Sequence, residues 1–420
     1  MRVVWTASAV AVALALGYAL LVSPAFEPYW DDQVAYLRLA RGLVDRSEYT
    51  RGALGAAFVP EPLWPPGYPL FLAPLCLLGC SHWLVAVAQA LLYGVLVVLA
   101  RALARAVIGA PAARVVAVLV AIYLPIAYWA AIAYSDFLST FLLVAGLAAF
   151  LRARAGDSVG WAVASGALVG WLALTRPVYV LFPAALVLLA LVVDGRRVLA
   201  RTRLAPLVAL VAAFVLVLAP LFVYSQRYFD RPFVSSSGAV IWLGAVQGLG
   251  RADLDAVEAD ELAAVNAEVA AFDRIGDRVD QAYAWVALNA SLGMHGLRFI
   301  AHDVAGYLAR TPLRAFVLWA GDMPVPVEAS RSLDPGLRVA IEAIELAIVL
   351  FALVGALALA RRRTDAALLP LVVILYVTVA LAPLGTQPRY SLAAKPLVLT
   401  AAVAGVAMVL GRRGGRLALR

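Results

Sequence analysis

The chain has 420 residues and a formal net charge of +8, and 64% of its residues are hydrophobic. Only 14% are charged, whereas soluble domains carry about 25%. This composition excludes an ordinary soluble domain and predicts an all-α polytopic membrane protein. The positive charge does not indicate nucleic-acid binding, because the Arg residues fall in short runs between apolar segments, as they do in cytoplasmic loops.

Ten segments are apolar enough to cross a bilayer, which takes about 20 residues. The N-terminal segment lacks a convincing cleavage site and is interpreted as an uncleaved first helix. Residues 67–79 are apolar but short, which is typical of an interfacial or re-entrant helix. The predicted spans are 3–22, 83–104, 115–133, 137–151, 159–175, 178–193, 205–224, 338–360, 366–384 and 391–411.

The distribution of Arg residues supports this count and orients it. If 67–79 does not cross, one side of the membrane collects nearly all the basic loops, and the other side keeps only Arg176 and Arg389 in its short loops. The positive-inside rule then places both termini in the cytoplasm. The residues of the basic side are Arg101, Arg105, Arg114, Arg152, Arg154, Arg196, Arg197, Arg201, Arg203, Arg361, Arg362, Arg363, Arg412, Arg413, Arg416 and Arg420.

The same pattern divides the chain into three parts. Residues 1–224 form a transmembrane catalytic module with a first outer loop at 23–82, and 338–420 form the C-terminal transmembrane helices. Residues 225–337 form an extracytoplasmic helical segment. In it we expect a turn near 235–238, an amphipathic helix from Asp253 to Leu288 and a second helix from about Gly296 to Trp319.

Charged residues that are rare in such a chain gather on the predicted outer side. Carboxylates opposite several cations suit an anionic substrate, since the cations hold a phosphate leaving group and a carboxylate acts as general base. An ionisable group inside a span is a functional candidate by default. The candidates are Asp31, Asp32, Glu61, Asp136, Arg176, Arg389 with its neighbour Tyr390, and Lys395.

Plainer interpretations stay open for the charged candidates. An Asp at a helix start commonly caps the helix, which applies to Asp136 and to one of Asp31 and Asp32. The Arg and Lys side chains can extend to the lipid headgroups without a function.

Two further pairs of residues are given structural interpretations. His295 and His302 lack further ligands at useful spacing and are interpreted as surface histidines. Cys76 and Cys80 are interpreted as small packing residues.

Several motifs in chain order resemble one family of enzymes. They are Asp31-Asp32 with Tyr36 and Ala40-Arg41, then Pro65-Pro66-Gly67-Tyr68-Pro69, Ser135-Asp136-Phe137-Leu138, the stretch Gly166 to Pro177, and Arg389-Tyr390. Together they resemble GT-C superfamily membrane glycosyltransferases, in the branch of dolichyl-phosphate-mannose protein mannosyltransferases and the aminoarabinose lipid A transferase. The resemblance covers 1–180 well and 380–411 moderately.

The resemblance implies an inverting transfer of a sugar from a polyprenyl-phosphate carrier to an acceptor outside the cytoplasm. It implies that Asp31 or Asp32 is the catalytic carboxylate, which activates the acceptor or, for Asp32, holds a divalent metal. Asp136 is then a second acid. Arg176, Arg389 and Lys395 are candidates for the donor phosphate, and the further substrate-binding candidates are Tyr36, Glu61, Tyr68 and Tyr390.

One departure from the family and two alternative functions remain. The aminoarabinose transferases have a Lys directly before Pro-Pro, where this chain has Trp64. An O-antigen ligase or polymerase type would use a polyprenyl-diphosphate donor, with Arg298, Arg310 and Arg314 as its basic residues. A lipid or sugar transporter would place polar residues near the middle of several spans. For the leading hypothesis the partners are membrane lipid, the carrier-linked sugar and a glycan, lipid or protein acceptor, in a bacterial inner membrane.

Overall fold

The computed structural model describes most of the chain, and almost all of it is helical. The described residues are 2–22, 31–50, 52, 57–232, 237–247, 249, 255–321 and 334–413, except for the side chains of 22, 31, 199, 201, 412 and 413. An isolated β-bridge joins Thr50 to Pro60. The all-α polytopic fold predicted from composition is confirmed.

The described part contains seventeen α-helices and three short 3₁₀ helices. The 3₁₀ helices are Pro177–Leu181, Gly195–Leu199 and Pro388–Ala394. The α-helices are α1 Arg2–Val22, α2 Asp31–Arg46, α3 Gly67–Cys76, α4 His82–Ile108, α5 Ala110–Ala121, α6 Leu124–Ala131, α7 Ser135–Gly156, α8 Val159–Thr175, α9 Phe182–Asp194, α10 Arg201–Phe229, α11 Ser237–Val246, α12 Ala256–Asp273, α13 Arg278–His302, α14 Val304–Ala320, α15 Pro335–Ala360, α16 Asp365–Leu381 and α17 Lys395–Arg413.

Helix lies at each of the ten predicted spans, but not every one is a full-length apolar helix. In the described residues seven helices are long and apolar enough to cross a membrane, and the bent pair α5–α6 makes up to eight. Helices α8 and α16 have only 17 residues each. Helix α3 has 10 residues, which agrees with the short interfacial or re-entrant helix predicted at 67–79.

Helix α8 packs closely against helices on two sides because it carries small residues on both. The Ser165 hydroxyl donates to the Gly146 carbonyl of α7 at 2.9 Å. On the other side a Cβ at Gly166 would collide with the carbonyl of Leu210 in α10. Small residues at such positions let helix backbones approach closely within a membrane. This packing fixes the end of α8, at Thr175, relative to α7 and α10.

Three helix ends meet at the face predicted to be cytoplasmic. The buried guanidinium of Arg154, in α7, donates to Asp194 at the end of α9 at 2.6 Å and to Asp365 at the start of α16 at 3.2 Å. Arg203 at the start of α10 donates to the Arg154 carbonyl and pairs with Asp157 at 3.1 Å. Basic residues assigned to one side by charge therefore lie together in the structure.

The segment 225–337, predicted to be extracytoplasmic, is divided into more helices than the sequence pattern predicted. Asp side chains cap new helices at three points: Asp255 before α12, Asp277 before α13 and Asp303 before α14. The helix predicted over 253–288 is therefore two helices, and the second predicted helix breaks at Asp303. The predicted turn near 235–238 is wrong at its second half, because α11 begins at Ser237; positions 235–236 lie outside the described residues.

Two interpretations of single residues are also wrong. His295 is buried rather than on the surface, and its ring contacts Glu261 through Nδ1 and Glu268 through Nε2, the latter at 3.1 Å. Cys76 and Cys80 form a disulfide across the turn after α3. An i, i+4 spacing at the end of a helix fits close packing equally well, so spacing alone does not reveal this bond.

Candidate active site

A cavity of about 480 Å³ lies where the ends of several elements converge. Its walls come from the start of α2, the segment before α3, the start of α7, the turn after α8 and the 3₁₀ helix at 388–394. One part of the lining is polar or aromatic: Asp32, Tyr36, Trp64, Tyr134, Ser135, Asp136, Thr175, Arg176, Ser237, Arg389 and Tyr390. The other part is apolar: Leu63, Pro65, Pro177, Val178, Val180, Val240, Leu381 and Leu384.

The Pro-Pro-Gly turn brings the first outer loop to this cavity. Gly67 lies against the backbone of Leu174 and Thr175, where any Cβ would collide. The Trp171 indole donates to the Gly67 carbonyl at 2.8 Å. Only glycine allows this close approach, so the motif anchors the start of α3 on the end of α8. Trp64, just before the turn, is thereby placed in the cavity wall.

Asp32 faces the cavity and is oriented by Trp64. The indole Nε1 of Trp64 donates to Asp32 Oδ1 at 3.1 Å. Trp64 stands where the aminoarabinose transferases have a Lys. It therefore holds the Asp32 carboxylate with an uncharged donor. Helix α2 begins at Asp31, whose side chain lies outside the described residues.

Asp136 and Arg176 form a buried ion pair in the cavity wall. The Asp136 side chain is fully buried, and its Oδ1 contacts Arg176 Nη2. Within the described residues Asp136 Oδ2 is buried and accepts no hydrogen bond. Asp136 does not cap α7 with its side chain, because the N-cap position is Tyr134 and shows no side-chain cap bond. The capping interpretation of Asp136 therefore does not apply.

Arg389 lies among aromatic rings and shares Tyr390 with Arg176. Its guanidinium carbon lies 5.3 Å from the Tyr134 ring centroid and 5.8 Å from that of Trp129. The Tyr390 ring lies 5.5 Å from Arg389 and 5.2 Å from Arg176. Arg389 Nε is buried and donates to no acceptor among the described residues. Two cations flanking one ring, with an unused donor, suit an anion with several oxygens.

Tyr36 completes the polar wall between Asp32 and Asp136. Its hydroxyl donates to Ser135 Oγ at 3.4 Å, and its ring packs edge-on against Tyr68 at 5.0 Å. Burial raises the pKa of Tyr36 to about 12. The hydroxyl therefore stays protonated near neutral pH and serves as a hydrogen-bond donor.

Three predicted site residues do not line the cavity. Glu61 folds back on its own loop, where Oε1 accepts from the backbone N–H of Leu63 and Trp64. Tyr68 is fully buried and donates to Gln89. Lys395 is fully buried, and its ammonium donates to Glu345 at 2.7 Å and to the Trp319 carbonyl at 2.9 Å. The Tyr123 hydroxyl donates to the same Glu345 carboxylate at 2.6 Å.

The aromatic residues around Arg389 are not among the candidates that the sequence predicts. Trp129 and Tyr134 precede Asp136 in sequence, and their rings lie beside the Arg389 guanidinium in the structure. Aromatic residues at an outer helix start look like ordinary interface residues. The sequence does show several aromatic residues close to one acid. The sequence pattern alone does not distinguish such a group from the aromatic belt at a membrane interface.

The described residues do not assemble a protein-ligand set for a metal. No three His, Cys, Asp or Glu side chains come together in that part of the chain as ion ligands do. Asp32 and Asp136 both line the cavity, but Asp136 is paired with Arg176.

Comparison with known proteins agrees with this architecture. Residues 64–224 match the family model of dolichyl-phosphate-mannose-protein mannosyltransferases. Among curated proteins, no sequence matches the chain.

Solved structures show the fold. The archaeal oligosaccharyltransferase AglB from Archaeoglobus fulgidus, with an inhibitory peptide and a dolichol-phosphate, superposes at TM-score 0.55 and 16% identity, over 99% of this chain and 52% of AglB. An oligosaccharyltransferase from Archaeoglobus fulgidus, in complex with zinc and sulfate, superposes at TM-score 0.57 and 15% identity, over 97% of this chain and 50% of that protein. ArnT from Cupriavidus metallidurans bound to undecaprenyl phosphate reaches a TM-score of only 0.39, at 18% identity, over 96% of this chain and 77% of ArnT. The chain thus spans about half the length of AglB.

The fold and the matching segment define a class. This chain is a polytopic membrane protein with the GT-C fold, and the resemblance predicted from its sequence to GT-C superfamily membrane glycosyltransferases is confirmed. Its match to the mannosyltransferase family model begins at Trp64 in the cavity wall and ends at Tyr224 in α10.

Proposed function

We propose that the chain is a glycosyltransferase that moves a sugar from a polyprenyl-phosphate carrier to a hydroxyl-bearing acceptor. The observation that carries this proposal is one cavity with Asp32 on one wall and Arg176 and Arg389 around Tyr390 on another. The apolar part of the lining, with Val178, Val180 and Leu381, suits a lipid next to its phosphate. The family match over 64–224 and the AglB complex with dolichol-phosphate support the same donor class.

The proposed reaction is a single displacement with inversion. Asp32 accepts the proton of the acceptor hydroxyl as its oxygen bonds to the anomeric carbon. The bond from that carbon to the phosphate oxygen breaks, and the polyprenyl phosphate leaves with the electron pair. Arg176 and Arg389 hold the negative charge that develops on the phosphate. Asp136 fixes Arg176 through their ion pair, and Trp64 orients Asp32.

Two observations support a site on the side away from the cytoplasm. Residues of the basic set, Arg154 and Arg203, meet at one face. The cavity instead uses the opposite ends of the same helices, since Asp136 is at the start of α7 and Arg176 follows α8. The Cys76–Cys80 disulfide lies at the end of α3, and such bonds persist in oxidising compartments.

The residues expected for a diphosphate-dependent ligase do not form a second site. Arg314 is fully buried and donates to the carbonyls of Ala382 and Tyr307. Arg310 pairs with Asp303 at 3.5 Å, and Arg298 is exposed on α13. None of the three lines the cavity. We therefore favour a monophosphate-linked donor.

Transfer activity tests the acidic half of the site. Purified protein is assayed with a panel of undecaprenyl-phosphate sugars, and released undecaprenyl phosphate is quantified. Asp32→Asn should fold normally and lose turnover by about 10²-fold or more, the usual range for a general base. Asp31→Asn is the matched control beside it. Full turnover in Asp32→Asn would remove Asp32 as the base, and loss in Asp31→Asn alone would transfer the role to Asp31.

Binding tests the basic half independently of the sugar. Undecaprenyl phosphate should bind the wild-type protein in detergent, and Arg389→Gln should weaken its affinity by about 10-fold or more, as expected for a lost charged hydrogen bond. Arg298→Gln, on the exposed face of α13, is the control. Unchanged affinity in Arg389→Gln, or tighter binding of undecaprenyl diphosphate than of the monophosphate, would contradict the proposed donor.

A further inference from the structure

Helix α14 has a polar inner face that makes several hydrogen bonds to the rest of the protein. The Tyr307 hydroxyl donates to the Pro383 carbonyl. Arg314 donates through Nε to the Ala382 carbonyl at 2.9 Å and through Nη2 to the Tyr307 carbonyl at 2.8 Å. Arg310 and Thr311 lie on the same side of the helix. The polar residues of this helix thus point towards the protein.

The opposite face of α14 is apolar and uncovered. Val304, Leu308, Leu313 and Phe316 are 51%, 59%, 52% and 38% exposed. The exposed residues between them, at 305, 309 and 312, are Ala, Ala and Pro. At 100° per residue these positions cover half of the circumference without a polar side chain. A helix in water shows the reverse arrangement, with its charged face outward.

The end of α14 lies among membrane-spanning helices. The Trp319 carbonyl accepts from Lys395, the first residue of α17, at 2.9 Å. The Trp319 indole donates to Thr378 near the end of α16 at 2.9 Å. The neighbouring span α15 also presents apolar residues outward, among them Ile344, which is 61% exposed. The uncovered face of α14 therefore borders the lipid-facing surface of the spans.

We propose that the outward face of α14 is seated in the outer leaflet of the bilayer, with lipid acyl chains as its occupant. An interfacial helix buries its apolar face about 5–10 Å below the headgroups, which suits a helix whose polar face is satisfied within the protein. The proposal does not depend on the proposed function. Tyr307 and Arg314 of α14 bind the carbonyls of 383 and 382, which shortly precede Arg389. Seating α14 in the leaflet therefore places the bilayer surface beside the cavity.

Site-directed spin labelling tests the seating. Leu308→Cys carries a nitroxide in the full-length protein in palmitoyl-oleoyl-phosphatidylcholine nanodiscs, where oxygen reports lipid and a nickel chelate reports water. Cys76 and Cys80 are bonded to each other and do not take the label. The oxygen-to-nickel accessibility ratio at 308 should be several-fold higher than at the exposed position 263 of α12. It should approach the ratio at position 350, which is 54% exposed on the span α15.

Each outcome decides the matter. A ratio at 308 equal to that at 263 means that water covers the face and overturns the proposal. Low accessibility to both reagents means that a second copy or another protein covers it, which also overturns the proposal. Leu313→Cys, at the other edge of the face, gives a second measurement if the 308 variant fails to fold, and it should show the same lipid exposure.

Discussion

At the residue scale, Lys395 shows why an ionisable group in a span is not necessarily a ligand. Its ammonium is fully buried against Glu345, and the same carboxylate accepts from Tyr123. The charge is therefore used inside the protein, where it joins α17 to α15 and to the turn before α6. Lys395 also directly follows the 3₁₀ helix that carries Arg389 and Tyr390. We infer that it positions these two residues rather than contacting the donor.

Removing one partner of this pair should destabilise the protein strongly. Lys395→Met leaves the Glu345 carboxylate buried without its cation, which typically costs about 3–5 kcal/mol. The double variant Lys395→Met/Glu345→Met should recover most of that loss, because an apolar pair of similar volume replaces the ion pair. Thermal unfolding in detergent measures both.

A binding measurement separates positioning from direct contact. Undecaprenyl-phosphate affinity should fall in Lys395→Met only together with stability, and the double variant should restore both. Weaker binding with unchanged thermal stability would place Lys395 in direct contact with the donor and contradict our inference.

The same residues show how much of the site the sequence could predict. Asp32, Asp136, Arg176 and Arg389 were predicted as candidates because charge is rare in this chain, and all four line the cavity near helix ends. Orientation was not predictable, since a residue near a helix start can face the cavity, as Asp136 does, or a neighbouring helix, as Lys395 does. Only packing decides between the two.

At the element scale, α12 is held on α13 by a buried histidine. Hydrogen bonding to Glu261, then to Glu268, raises the pKa of His295 above its usual 6.5. The imidazolium therefore contributes fully below pH 6.5, and its contribution is lost as the pH rises through the raised value. Hydrogen bonding to Ser291, then to His295, lowers the pKa of Glu268. That contribution is present above the usual 4.5 and is lost as the pH falls through the lowered value.

Docking of α12 should therefore weaken towards alkaline pH. The protection factors of the amides of 256–273, which correct the exchange rates for the intrinsic rate at each pH, should fall above the raised pKa of His295. His295→Gln should remove this fall. His302→Gln is the control, because His302 bonds Asp255 where both side chains are exposed and solvent screens their interaction. Wild-type protection factors that stay constant through this pH range would show that His295 does not secure this contact.

Helix boundaries in this outer segment could be predicted only in part. The Asp-rich stretch indicated helix, but Asp255, Asp277 and Asp303 act as caps that start new helices. The short apolar helix α11 was not predicted, because 10 residues after a run of Ser give no clear period. In contrast, the spans were predicted close to their positions, since their apolar length is a strong signal.

At the scale of the whole molecule, the basic residues and the cavity lie at opposite ends of the helical bundle. Arg154, Asp194 and Asp365 join three helix ends at one face. The cavity lies at the other ends of the same bundle, and so does the disulfide before α4. If the bundle were inverted, the basic loops would lie outside and the disulfide in a reducing cytosol, which opposes both the positive-inside rule and the usual occurrence of disulfides.

This orientation predicts a definite labelling pattern. Single cysteines are introduced at exposed positions of both faces, Asp45→Cys and Ala263→Cys on the cavity side and Ala155→Cys and Arg197→Cys on the basic side. A membrane-impermeant maleimide applied to intact spheroplasts should label 45 and 263, and should label 155 and 197 only after permeabilisation. Labelling of 155 in intact spheroplasts would show that the bundle has the opposite orientation in the membrane. It would then place Asp32, Arg176 and Arg389 in the cytoplasm, where the proposed site would have to use donors presented on the inner leaflet.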